Sequence, residues 1–347
     1  MGLPKGMRKM AQIYDDARRL LGNIKLSSDN LDMAECYWLC ANRDDLKSLE
    51  NRSHQIIWGR RGTGKTTLQK AFVYEINEVK SDPKVAAIYI MMAQMVPTSK
   101  ELDTIATDRE GISLYVFSKL IGELCDQLEQ FFEERKKKLS KNKEEMFEQA
   151  FYALDESIKL YQAQMRGAEL TVTHAQSMEV SKESGRETGL SASAKFKLFQ
   201  PAIMFSRKRN SKKNEQQNIT ISGKVKFIIE TQAIVENLQK MLNALGIEFV
   251  YICLDEYCEI DKVSEYSIQS SVAQLIKQVF FKNSLFSVKI ATIWNNSRLH
   301  NRGGNRVEGI EYQQDAFPGP DLDIMFLKNN SDVISYFKEL LVNTYLL

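Results

Sequence analysis

No apolar run in this sequence approaches the ~20 residues that a bilayer-crossing helix requires, so no membrane association is expected. Residues 1–10 lack the apolar core of a secretory signal, and Gly2 is not followed by the Ser or Thr that myristoylation favours. The five cysteines are odd in number and contain no CxxC pair, which fits free thiols in a reducing compartment and a cytoplasmic protein. Cys36 and Cys40 stand close together, but no nearby His or second Cys pair completes a zinc site, so a packing role is expected for both. His54, His174 and His300 are too scattered to suggest a metal centre or a catalytic imidazole. Charge of one sign is also missing: 47 basic against 45 acidic residues leave a net +2, so contact with nucleic acid would have to come from a local patch. No internal repeat is evident.

What the sequence does have is concentrated near residue 60. Gly59-Arg60-Arg61-Gly62-Thr63-Gly64-Lys65-Thr66 is a complete GxxxxGK[ST] phosphate-binding loop, preceded by an apolar run ending at Trp58 and followed by a helical stretch. Glycines let successive backbone N–H groups turn inward around phosphates, Lys65 reaches the β and γ oxygens, and the Thr66 hydroxyl suits Mg²⁺, with Thr67 beside it in the first helical turn. The positive end of the following helix points at the same place.

Further along, apolar runs at Val85–Met92, Phe249–Leu254, Val288–Trp294 and Leu322–Phe326 read as buried strands. Helical spacing covers Ile112–Lys138, Glu144–Met165, Ile234–Leu245 and Ser270–Phe281. Strands alternating with helices around a phosphate loop predict an α/β fold, an open and mostly parallel sheet with helices on both faces. The ligand is expected at the C-terminal ends of the strands. Residues 1–50 read as a helical lead-in, in which core packing is the expected role of Tyr37 and Trp38, with adenine cover as the alternative. Residues 51–100 and 229–328 read as two parts of one core, 101–228 as a large helical and β insertion between the second strand and the Phe249–Leu254 strand, and 329–347 as the start of a further helix. Within the insertion, the alternating pieces Ser193–Phe199 and Ile219–Phe227 suggest either hairpins or a mobile insertion.

Phe249–Leu254 ends in Asp255 and Glu256, the Walker B pattern. Asp255 would hold Mg²⁺ through its water shell and Glu256 would polarise the attacking water. Asn295, at the end of the next strand, is placed either to touch the γ-phosphate or to make an ordinary turn. Arg298, Arg302 and Arg306 lie beyond it in a Gly- and Asn-rich loop, either solvated or offering an arginine finger to a neighbouring subunit, with Arg302 and Arg306 the preferred candidates. Residues 186–226 carry ten Lys or Arg against Glu187 and Glu215, interleaved with Phe196, Phe199 and Phe205. Such a segment either tracks a nucleic-acid backbone or is a solvated insertion.

With the phosphate loop, Leu254-Asp255-Glu256 and Val288-Lys-Ile-Ala-Thr-Ile-Trp-Asn295 in this order, the chain resembles AAA+ ATPases, and more narrowly the prokaryotic branch related to origin-recognition and initiator ATPases. The resemblance implies ATP and Mg²⁺ as cofactors, Lys65 and Thr66 as phosphate and metal residues, Asp255 and Glu256 as the Walker B pair, Asn295 as sensor, and a sheet in the order 5-1-4-3-2. Adenine is favoured over guanine because no NKxD motif stands at a strand end. Two departures accompany the resemblance: the long insertion, and a stretch after the last strand too short for the family's helical lid. An ATPase working through a homo-oligomer, DNA or a partner effector is therefore expected, in a setting that for this branch includes anti-phage defence. The alternative is a low-turnover, ATP-dependent switch that signals to an effector.

Overall fold

The computed structural model describes residues 31–40, 43–102, 108–156, 158–162, 173–174, 225–263, 267–303 and 306–327. Two short helices, α1 (Met33–Leu39) and α2 (Arg43–Leu49), precede β1 (Gln55–Trp58). α3 (Lys65–Tyr74) is next, running on through a π-helical turn at Glu75–Lys80 into β2 (Val85–Met91). Then come α4 (Ser99–Leu102), α5 (Arg109–Arg135), α6 (Lys141–Glu156), β3 (Ile158–Gln162), β4 (Thr173–His174), β5 (Val225–Ile229) and α7 (Thr231–Leu245). The chain continues through β6 (Phe249–Asp255), α8 (Gln269–Ile276), β7 (Phe286–Thr292), β8 (His300–Gly303), β9 (Arg306–Gly309), β10 (Phe317–Asp321) and α9 (Leu322–Leu327).

Five strands form one sheet in the order β10-β1-β7-β6-β2, and every pairing in it is parallel. Counting only these strands along the chain, the order is 5-1-4-3-2. β1, β2, β6 and β7 are largely apolar runs because both sheet faces are covered there. Alternation divides their side chains: Ile56, Ile88, Ile252, Leu254, Val288 and Ile290 face the layer built from α5, α6, α7 and α8. Ile57, Ala87, Tyr251, Cys253 and Ala291 face the layer containing α3 and the lead-in helices. α5 belongs to the first layer, with Phe117, Leu120 and Leu124 fully buried, although it falls in the span expected as an insertion. Phe132 near its end stacks on Phe147 of α6 at 4.2 Å.

Both sheet edges are blocked against further pairing. Phe317 N donates to His54 O at 2.9 Å, so strand alternation turns the backbone nitrogens of residues 318 and 320 outward. Both are prolines and have no N–H to offer. At the far edge, the π-helical turn brings Asn77 alongside β2, where its amide accepts from Ala87 N at 2.9 Å and donates to Ala87 O at 2.8 Å. Gln127 of α5 donates to Tyr89 O at 2.7 Å.

The structure corrects some of these expectations. The last strand is Phe317–Asp321 rather than Leu322–Phe326, which is helical in α9; Pro318 and Pro320 hide an edge strand from propensity, and Asp321 Oδ1 accepts from Asp323 N to start the helix. The helix expected over Glu144–Met165 ends at Glu156, and the alternating Ile158–Gln162 pairs as β3 with β4 and β5 in a small antiparallel sheet. The Arg-bearing loop after β7 is a β8–β9 hairpin, held by Arg109 Nη2 donating to Glu308 Oε2 at 2.6 Å and Gln274 Oε1 accepting from Gly309 N. The strand expected at Val288–Trp294 starts and stops two residues earlier, at Phe286–Thr292. The Ser193–Phe199 hairpin, the 186–224 part of the basic segment and residues 329–347 lie outside the described residues.

Where the chain turns into β1, polar groups are buried together. Lys289 of β7 is fully buried, and its ammonium donates to Asn51 O, Gln55 Oε1 and, at 2.9 Å, Ser53 O. Burial pushes its pKa down to about 7. His54 stacks on Phe281 at 3.7 Å and accepts from Val288 N through Nδ1. Burial, and then the nearby Lys289 charge, lower its pKa from 6.5 to about 4.

These contacts can be tested by stability measurements. Asn77→Ala leaves the buried Ala87 N–H and C=O without partners and should lower unfolding free energy by about 2–4 kcal/mol, read by urea denaturation; unchanged stability would mean that water replaces the amide. For His54, the unfolded imidazole takes up its proton below its ordinary value of 6.5 while the folded one resists to about 4. Stability present above that window should therefore fall by about 3 kcal/mol as the pH is lowered through it. His54→Gln, which keeps an acceptor but does not titrate, should flatten that decline.

Candidate functional site

The parallel sheet brings all five strand C-termini to one edge, with Trp58 in register with Thr292 and Asp321, and Met91 with Asp255. From that edge the phosphate loop leaves β1. Gly62 and Gly64 adopt φ of 83° and 90°, a left-handed geometry that side chains resist. Gly59 lies so close to the returning limb that a Cβ there would meet Thr63 Oγ1 at 2.4 Å and Leu322 Cβ at 3.3 Å. Thr63 Oγ1 donates to Arg60 O at 2.8 Å, closing the loop on itself. α3 then starts at Lys65 with Gly64 as its cap and no side-chain partner for its first N–H groups, which leaves them directed at the loop.

Three cations shape the loop. Lys65 folds back and donates to Gly59 O and Arg60 O, each at 2.7 Å. Partial burial lowers its pKa, opposed by the carboxylates of Asp255, Asp323 and Glu256 and by Cys258. Arg60 is held to Asp323 at the start of α9, both through its backbone N at 2.9 Å and through Nε at 3.3 Å. Arg61 reaches the other way, to Glu259 at 3.2 Å, a carboxylate that also pairs with Lys262. Thr66 and Thr67 sit half-buried in the first turn of α3.

The acids arrive from β6. Gln69, one turn into α3, donates to Lys289 O at 3.0 Å and lies over Leu254 O, so the helix crosses β7 and β6 and carries its first turn toward Asp255. Asp255 is fully buried; its Oδ2 accepts from Tyr89 OH at 2.8 Å and its Oδ1 from Glu256 N at 2.8 Å. Burial and the facing Asp255 push the Tyr89 phenol far up, so it remains a donor. Glu256 has φ of 53° without being glycine, which costs roughly 1–2 kcal/mol and turns the chain sharply at the sheet edge.

Beyond β7, Trp294–Asn296 forms one tight turn, with Asn295 exposed next to the strand that carries the loop. Trp58, Trp294 and Tyr312 cluster there, Trp58 and Trp294 meeting edge to face at 4.5 Å. Arg302 is exposed and pairs with Glu311 at 3.1 Å. Arg306 pairs through its backbone with Gly303, and its side chain lies outside the described residues. Arg298, the least favoured of the three in the sequence, is exposed and makes no ion pair among the described residues, while its backbone N donates to Gln269 Oε1 at 2.7 Å. Tyr37 packs on Tyr74 of α3 at 5.3 Å, and Trp38 is exposed.

The structure thus gathers the phosphate loop, Lys65, Asp255 and Glu256 at one sheet edge and adds Tyr89, Gln69, Gln269, Glu259 and Asp323, which sequence reasoning missed. The apolar context of Tyr89 in β2 concealed it; the others carry no local signature. Among the described residues, no group of three or more His, Cys, Asp and Glu side chains forms a metal cage, and no helix is long and apolar enough to cross a membrane. No protein-family model matches the chain, and no curated protein matches it.

The loop closure can be tested on its own. Gly59→Ala should destabilise the protein by about 1–3 kcal/mol through overpacking. Gly59→Ala combined with Thr63→Ala, which removes the colliding hydroxyl, should recover part of that loss in a double-mutant cycle by thermal denaturation. Strict additivity would show that the two limbs do not touch.

Proposed function

We propose that the chain is a Mg²⁺-dependent P-loop ATPase of AAA+ type, and that its cycle drives assembly with further copies or acts on a partner effector or on DNA. The observation that carries this reading is the convergence of Lys65 and the first turn of α3 on the buried Asp255 and its neighbour Glu256. The 5-1-4-3-2 strand order supports it, since this is the order that the AAA+ resemblance implies. In this reading the N–H groups from Gly62 to Thr67 cradle the phosphates, and the Lys65 ammonium leaves the loop carbonyls for the β and γ oxygens.

Mg²⁺ suits the donors present, because it is usually held by one or two carboxylates plus phosphate oxygens and water rather than by a protein cage. Asp255 and the Thr66 hydroxyl would hold it, and when bound it would neutralise charge on the phosphates. Tyr89 keeps the Asp255 carboxylate oriented, and Glu256 draws the proton from the attacking water. Asn295 would contact the γ-phosphate. For a finger acting on a neighbouring copy, Arg298 now stands ahead of Arg302, which Glu311 already engages. The second reading is an ATP-bound switch with little turnover. Adenine specificity enters the proposal from the lack of an NKxD motif, a cytoplasmic location from the cysteine pattern and a role in anti-phage defence from the resemblance alone, and the basic 186–226 segment carries its nucleic-acid component.

Calorimetric titration and single-turnover hydrolysis test the reading together. Lys65→Ala should lose at least tenfold in ATP affinity, since each charge-assisted bond contributes roughly 1.5–3 kcal/mol. Glu256→Gln should keep ATP and lose about a hundredfold or more in rate. Unchanged affinity in the first variant removes the loop from its role, and an undiminished rate in the second removes Glu256 from water activation. Intact ATP binding with negligible wild-type turnover would establish the switch instead.

A further inference from the structure

Gln269, the first residue of α8, is 1 % exposed and hydrogen-bonds to both segments that leave the sheet edge. Toward the segment after β6, its Nε2 donates to Asp261 Oδ2 at 2.9 Å and lies 3.4 Å from Cys258 O. Its own backbone N donates to Asp261 Oδ1 at 3.2 Å, and its carbonyl accepts from Tyr257 OH at 2.7 Å. Toward the turn after β7, the same Nε2 donates to Asn296 O at 3.0 Å, and Oε1 accepts from Arg298 N at 2.7 Å. A primary amide is the side chain that offers two donors and an acceptor in one plane, and all of them are engaged here. Asp261 is equally committed, since it also accepts from Ile268 N and Ser267 Oγ.

One of the bridged segments begins at Glu256, and the other contains Asn295 and Arg298. We propose that Gln269 is a positioning residue that fixes the water-activating acid relative to the γ-phosphate turn and to the arginine offered beyond it. The inference rests on the ATPase reading, because it assigns Gln269 an effect on rate. It assigns none on nucleotide affinity, since Gln269 makes no described contact with the phosphate loop. Misplacement of reacting groups by about 1 Å costs up to roughly a hundredfold in rate, which sets the size of the expected effect.

Among the titratable and charged residues around this amide, Asp261 meets it through its carboxylate, Tyr257 OH donates to the Gln269 backbone carbonyl, and Cys258 and Arg298 are engaged through backbone atoms. Gln269→Glu keeps the acceptor for Arg298 N but sets a carboxylate against Asp261. Two carboxylates so placed share a proton readily, and the shared proton restores the bond to Asp261 while the donor to Asn296 O stays lost.

The test uses the full chain, with ATP and Mg²⁺ as probes. In Gln269→Ala, hydrogen exchange at the Arg298 amide should accelerate while the β6 amides keep their protection. ATP affinity should stay within about threefold and the single-turnover rate should fall about tenfold to a hundredfold. In Gln269→Glu the rate should be low at neutral pH and recover in part as the pH falls toward about 5, a rise absent from the wild type. An unchanged rate despite accelerated Arg298 exchange overturns the proposal, as does a parallel fall in rate, affinity and melting temperature in both variants. Absent wild-type turnover would sink the ATPase reading instead. The exchange data then decide the bridge alone: retained Arg298 protection in Gln269→Ala overturns it, and lost protection upholds it.

Discussion

Burial of a parallel sheet on both faces is the constraint on which the rest of this molecule depends. Parallel strands cannot be joined by tight turns, so the chain returns through helices that themselves cover the sheet and, between β7 and β10, through the β8–β9 hairpin. Every strand then reaches the same edge with its C-terminal end, and the polar chemistry gathers there. Asp255 can be fully buried at that edge because Tyr89 OH and Glu256 N satisfy it. At the opposite end of β7, the Lys289 ammonium is buried on the same terms, with backbone and amide oxygens in place of water.

The phosphate loop gets its shape from its own surroundings. Arg60 is drawn to Asp323 on one flank and Arg61 to Glu259 on the other, while Lys65 closes over the carbonyls between them. Both arginines are mostly exposed, so their ion pairs contribute little to global stability. Their effect is local, spreading the loop between the start of α9 and the segment after β6. A preshaped loop loses less freedom when it closes on a ligand.

Legibility in the sequence tracks the range of the interaction concerned. The phosphate loop and the Asp255-Glu256 pair were readable because glycine geometry and a strand leading into two acids are local patterns. The central strands were readable because burial on both faces leaves an unbroken apolar run. β10 was not, since an edge strand can carry Pro318 and Pro320, and the more apolar Leu322–Phe326 outweighed it. The Glu144–Met165 pattern failed at Ile158, where pairing with β5 overrode helical spacing. Tyr89 owes its role to a partner 166 positions away, Asp255, and Gln269 to partners 8 to 29 positions away on two different segments. No short-range pattern registers such a contact.

The π-helical turn at Glu75–Lys80 makes this part of the chain sensitive to length more than to composition. A π turn holds one more residue than the α-helical turn it replaces. Wound as regular α-helix, the same residues would place everything beyond the turn about 100° further round the helix axis. Asn77 or the approach to β2 would then swing away from the sheet edge. The extra residue therefore keeps Asn77 and the approach to β2 in place together, and the segment should accept a one-residue deletion clear of Asn77, which regular winding absorbs, more readily than a one-residue insertion.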